Sequence, residues 1–182
     1  MLDLKIQIAT IEGDFSEAER LIGLLRAQPD DGGRSVKRDA IIALRRDQNP
    51  ARAVAILDHG ISAGLGGMLD LRAVRCIALA RMTGAETRAR EDAEYVASRP
   101  AGIQIAHRLE AHLSLSKQNW RAALASLAKV ESKNASDRLL EARILEAKSE
   151  DVKLPLTERT EAHSQALVLR RQFGLATEFD IV

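Results

Sequence analysis

Arginine is the residue type in this chain with the most chemistry to offer. Arg38, Arg45, Arg46, Arg75, Arg81 and Arg108, continued by His112 and Arg143, recur at helical spacing. A guanidinium is a planar fork that meets a carboxylate or a phosphate two bonds at a time. Set on the solvent-facing side of successive helices, Arg38, Arg45, Arg75, Arg81, Arg108 and His112 make a stripe suited to an acidic peptide, a C-terminal carboxylate or a phosphorylated segment. An ordinary solvated face is the other reading, because arginine is frequent throughout the chain.

Covalent and metal chemistry find less to work with. A nucleophilic cysteine needs partial exposure and a basic neighbour, whereas Cys76 falls at a core position of its helix. The histidines are His59, His107, His112 and His163. His107 and His112 stand five apart, out of the i, i+4 register of a helical metal pair. There is no Cys-x2-Cys, no His-Glu-x2-His and no phosphate loop. Gly64-Leu65-Gly66-Gly67 has no strand before it and no P-loop lysine, so it reads as a turn. The sequence therefore predicts no catalytic residue, no metal site and no cofactor.

The elements that position these side chains follow a period. Ala18, Ala53, Ala89, Ala123 and Ala162 form a column with steps of 35, 36, 34 and 39 residues. Four residues on come Ile22, Leu57, Ala93, Leu127 and Ala166; three further on come Leu25, Gly60, Val96, Val130 and Leu169. These offsets share one helical face. Turn residues keep step: Gly13-Asp14, Asn49-Pro50, Gly84-Ala85 and Asn119-Trp120. A fixed period of this length marks stacked helical hairpins, with a small side chain where two helices cross closely.

Taken in order, residues 1–12 predict a first helix with two apolar stripes, Leu2/Ile6/Ala9 and, nearly opposite, Leu4/Ile8/Ile11. A helix apolar on two faces is covered on both. One hairpin partner covers one, so Leu4, Ile8 and Ile11 imply a preceding repeat or a self-association surface, a homodimer through the N-terminal hairpin; the other reading is a short helix that is simply apolar all round. Asp14 caps the second helix, with Glu17 as capping-box partner, and Pro29-Asp30-Asp31-Gly32-Gly33 ends it. Ser35 caps a helix to about Arg46; Asn49-Pro50 starts the next. A third hairpin runs from Met68 to Arg99, with Cys76 and Ile77 buried. A fourth runs from Gly102 to about Lys133, with Trp120 folding back over its turn. The fifth starts after Ser136, and Thr157 caps its last helix, which ends at Gly174.

The Gly-Asp-Phe-x-x-Ala turn at Gly13–Ala18, the Asn-Trp-x-x-Ala turn at Asn119–Ala123 and the Ala-x3-apolar register resemble tetratricopeptide repeats. Pro29 and Pro100 close units as proline does in that family. The first-helix signature of the family, with its tryptophan, Leu-Gly pair and tyrosine, is absent; Ala40-Ile41-x2-Leu44 and Cys76-Ile77-x2-Ala80 stand there. The resemblance implies an all-α superhelix, a solenoid of about five antiparallel helix pairs, over residues 1–174. Its units are approximately 1–33, 34–67, 68–100, 101–134 and 135–174, followed by a tail, 175–182. It also implies a concave groove lined by the first helices and a non-catalytic role as a protein-interaction scaffold. The partner is then a protein or acidic peptide held by the arginines. The family's asparagine-and-lysine peptide clamp has no matching asparagine here.

Two other functions stay open at this level. Arg34–Arg52 holds six basic and two acidic residues, and helical hairpins of this length also read RNA. Against nucleic acid stand a formal net charge of +1 and an aromatic content of 3%, since single strands bind on aromatic platforms and basic grooves. The chain could also be a regulatory domain of an enzyme outside it, or part of a larger multidomain protein. One cysteine excludes an intrachain disulfide framework. No apolar run is long enough to span a membrane, and Met1-Leu2-Asp3-Leu4-Lys5 lacks the basic start of a secretory signal, so a cytoplasmic location is expected.

Overall fold

In the computed structural model, which describes residues 1–29, 31–65 and 68–173, ten α-helices occur among the described residues and no strand. They are α1 (Leu2–Glu12), α2 (Phe15–Arg26), α3 (Arg34–Arg45), α4 (Pro50–Ser62), α5 (Met68–Leu79), α6 (Glu86–Ala97), α7 (Ile103–Ser116), α8 (Trp120–Leu127), α9 (Ala135–Glu150) and α10 (Leu156–Phe173). A 3-10 turn at Pro100–Gly102 leads into α7. The chain divides into two compact units, Met1–Val96 and Ala97–Val182. The tail 175–182, Gly174, Gly66 and Gly67 lie outside the described residues.

Short polar side chains satisfy the orphan N–H groups of helix first turns. Asp14 accepts from the Glu17 N–H at 3.0 Å, Asn49 from Arg52 at 2.9 Å and Asn119 from Ala122 at 3.1 Å. Three caps differ from the sequence expectation; for one, α10 begins at Leu156, which puts the expected cap Thr157 inside the helix. α3 begins at Arg34, and Asp31 takes both the N–H and the hydroxyl of Ser35 (2.9 and 2.6 Å). Asp31 reaches across Gly32-Gly33 to the first turn of α3, and Ser35 lies inside the helix. α9 is capped by Asn134, not started after Ser136: Asn134 accepts from the Asp137 N–H and Asp137 from the Asn134 N–H, both at 2.9 Å. α8 also stops at Leu127, short of Lys133. Val130 turns into the core there.

The reversal inside four successive hairpins uses one left-handed residue at the same phase. Gly13 (φ 81°), Gln48 (46°), Gly84 (79°) and Gln118 (57°) each stand just ahead of the next helix's cap position. Glycine enters this region without a Cβ clash, while glutamine does so at a cost.

In the first unit, α1 and α2 close over Ile6, Ala9, Ala18, Leu21, Ile22 and Leu25, with Ile42 of α3 inserted. α3 packs on α2 and α4, and α4 on α5. In the second, Ala123, Leu127 and Val130 meet Ala111 of α7 and Leu140 and Ile144 of α9, while Ala162 and Ala166 of α10 pack on Ala142 and Leu145. All five column alanines are buried. Where they stand, a bulkier side chain would push neighbouring helices apart.

Gly60 shows the tolerance. A Cβ there would lie 2.8 Å from Val36 Cγ1 of α3, and the branched valine has little rotamer freedom to retreat. Alanine normally gains up to about 1 kcal/mol over glycine inside a helix. Gly60→Ala is expected instead to lower stability by about 1–2 kcal/mol through overpacking, and adding Val36→Ala to recover most of that loss. Urea unfolding of the three chains reads both effects.

Candidate functional site

The spacing predicts arginines presented to solvent; the structure turns the central ones inward. Arg38 on α3 is 6% exposed, and its fork grips Asp3 of α1 through two hydrogen bonds of 2.8 Å. Arg108 on α7 is 8% exposed and grips Asp137 at the start of α9 at 2.7 and 3.0 Å; it also donates to the Ser132 carbonyl. Arg75 on α5 donates to the buried Asp92 of α6 at 2.7 Å and to Asp58 of α4 at 2.5 Å. Carboxylates, buried at Asp92 and Asp137 and partly exposed at Asp3 and Asp58, draw these cations in, because an arginine left unpaired at the same depth would be prohibitively costly. The guanidinium of Arg75 is held above its ordinary value, chiefly by the hydrogen bonds to Asp92.

The remaining predicted residues are more scattered. Arg45 reaches from α3 to the Ile11 carbonyl of α1 at 3.1 Å. Arg46 spans Glu19 (2.8 Å), Asp47 (2.7 Å) and the Phe15 ring face, 5.7 Å from its centroid. Arg81 is exposed, Arg143 half-buried and His112 buried. Arg38, Arg45, Arg75 and Arg81 belong to the first unit, Arg108 and His112 to the second. Cys76 is buried and its thiol donates to the Ala89 carbonyl at 3.2 Å, fastening α5 to α6. The Trp120 indole N–H donates to Asp151 at 3.1 Å, because the α9–α10 connector brings that carboxylate beside it. Arg121 stacks on its ring at 4.2 Å.

The acidic halves of these pairs are what a search for cationic site residues misses, yet they carry a sequence signal. Asp3 and Arg38 are 35 residues apart, Lys37 and Asp70 are 33, and Arg108 and Asp137 are 29. Opposite charges 29 to 35 residues apart join the first helix of one hairpin to the first helix of the next.

A second feature has no cationic signature at all. A surface cavity of about 800 Å³ opens in the first unit where the α2–α3 loop, α3 and α4 meet. Pro29, Val36 and Ile56 give it apolar walls, and Arg26, Asp39 and His59 stand around it. Asp39 is ion-paired with Arg26. Burial pushes the Asp39 carboxyl up, and the Arg26 charge offsets part of that push.

Of the predicted self-association residues, Leu4 is 60% and Ile8 45% exposed, with Ile11 partly covered. Among the described residues no group of three His, Cys, Asp or Glu is placed to hold a metal ion, and no helix is long and apolar enough to cross a membrane. Comparison of the chain with protein-family models, with curated proteins and with solved structures gives no match.

Two outcomes test the ion pairs. Asp137→Ala leaves a buried guanidinium without its carboxylate and opens the α9 cap, so a loss of about 3–5 kcal/mol is expected in urea unfolding. The Arg38 fork hydrogen-bonded to Asp3 holds that carboxyl below the usual carboxylate range, against the opposing push of partial burial. A lowered folded-state value adds stability above the unfolded-state value, near 3.8, and that stability is lost as pH falls through the folded-state value. The stability gap between wild type and Asp3→Asn should therefore be widest near neutrality and close progressively below pH about 4. Urea midpoints measured across that range would show it.

Proposed function

We propose that this chain is a protein-interaction scaffold of tetratricopeptide-like helical hairpins, and that its partner docks in the cavity of the first unit. The observation that supports the reading most is that cavity: about 800 Å³, walled by two consecutive hairpins, apolar within and charged around. A space of that size takes several side chains of a partner segment, and a few polar groups around an apolar floor fix orientation. The ion pairs that join helix to helix keep the walls in place without a ligand, so little ordering is needed on binding.

The arginine stripe takes a different part in this reading. Arg38, Arg75 and Arg108 are already matched by Asp3, Asp92 and Asp137. An acidic peptide would have to displace an internal carboxylate from each, which removes most of its advantage. Recognition falls to the apolar surface of Val36 and Ile56, with Arg26, Asp39 and His59 setting direction.

Photo-crosslinking in the cells that naturally make the protein tests this. A photoreactive side chain at Ile56 is expected to capture a discrete protein, and one at the exposed Glu91 of α6 not to capture it. Capture should fall several-fold when Val36→Glu closes the cavity. Equal capture from both positions, or none from Ile56, would remove the cavity from consideration.

A further inference from the structure

The hairpin period makes the outward face of α1 interpretable position by position. Stepping back 35 residues from α3 puts Ile41 on Ile6 and Leu44 on Ala9, and all four are buried. The same step puts Asp39, Ala43 and Arg46 on Leu4, Ile8 and Ile11. In α3 that face packs against α2: Asp39 pairs with Arg26, Arg46 with Glu19 at 2.8 Å, and Ala43 is 1% exposed between them. α5 repeats the arrangement, with Arg75 one further period along reaching Asp58 of α4. The face is thus one that a helix covers in the second and third hairpins. In α1 it is open, with Met1 99%, Leu4 60% and Ile8 45% exposed.

Its chemistry also changes. Where α3 carries a charge at each end of this face and meets charges on α2, α1 carries Leu4 and Ile11. A helix that covers α1 must be apolar at those points. α1 itself meets that requirement, and its flanking charges are complementary to themselves. Lys5 and Glu12 are exposed and stand one heptad apart on the same side of the Leu4–Ile8–Ile11 stripe. When two such helices run antiparallel about a two-fold axis at Ile8, Leu4 faces Ile11 of the second copy and Lys5 faces its Glu12. Parallel pairing would put the two Lys5 side chains on opposite flanks of the contact and leave Lys5 and Glu12 unpaired.

We propose that α1 is a self-association helix that pairs with α1 of a second copy, antiparallel about a two-fold axis at Ile8. A two-fold contact uses the same patch on both subunits and closes at two. Eleven residues of helix cover less than the roughly 800 Å² per partner of a standard interface. A contact that small falls in the weak, transient class, with a dissociation constant on the order of micromolar or above.

Sedimentation equilibrium of the full chain, from about 5 to 500 μM so as to reach into that range, tests the pairing. A monomer–dimer equilibrium is expected. Ile8→Glu should weaken it more than tenfold, with unchanged helical circular dichroism confirming that this exposed site does not hold the fold. Lys5→Glu sets like charges opposite each other and should weaken it about three- to tenfold. Lys5→Glu combined with Glu12→Lys should restore it to within about twofold, as only antiparallel pairing allows. A monomer throughout the range, a dimer insensitive to Ile8→Glu, or a double reversal that fails to restore association each overturns the proposal. Growth beyond two copies overturns it too, since it would mean head-to-tail stacking.

Discussion

Two helices can cross closely only where one of them carries little more than a methyl group at the point of contact, and this chain meets that condition at a fixed interval. Ala18, Ala53, Ala89, Ala123 and Ala162 are all buried. The large side chains that surround them, such as Ile22, Leu57 and Leu127, fill the space on either side of the crossing. Aromatic residues, which dominate many cores, amount to 3% of the sequence. The packing is therefore built from aliphatic side chains of similar size, and each crossing depends on its neighbours keeping the same spacing. Close-packed interiors transmit such constraints, because a displaced helix has no void to move into.

Electrostatics works between neighbouring hairpins. The Asp3–Arg38, Lys37–Asp70 and Arg108–Asp137 pairs each join two first helices of adjacent hairpins. An ion pair at low exposure adds little net stability over an apolar contact, but it is intolerant of a missing partner. Its effect is on register. A hairpin displaced by one helical position would leave a buried charge unmatched, whereas a slipped aliphatic contact would cost far less. The apolar column brings the helices together and the charged pairs select one alignment.

Much of this was legible from residue types and spacing, and the misses have physical causes. The helices, the alanine column and the caps at Asp14, Asn49 and Asn119 follow from periodicity and local hydrogen bonding, which a sequence states directly. The caps at Asp31 and Asn134 were less visible because several capping-competent residues crowd each start, and only the backbone path decides which reaches the first turn. The arginines were recognisable as functional groups but not as satisfied ones. A guanidinium's environment depends on what lies across the packing interface, and Asp3 or Asp137 is distant in sequence. The cavity beside Val36 and Ile56 left no motif, since it arises from the gap between elements. The outward stripe of α1 was visible from its own spacing, and its meaning came from aligning it with α3.

The four hairpin reversals carry one further consequence. Gly13, Gln48, Gly84 and Gln118 all hold positive φ and are exposed, so what the turn selects at these places is backbone chirality, not a side-chain contact. A left-handed conformation is strained for an L-residue and relaxed for its enantiomer. In a chain assembled by semisynthesis, each of the four positions is a natural seat for a D-amino acid. There the mirror-image centre would fit the native bend and narrow the conformations open to the unfolded polymer.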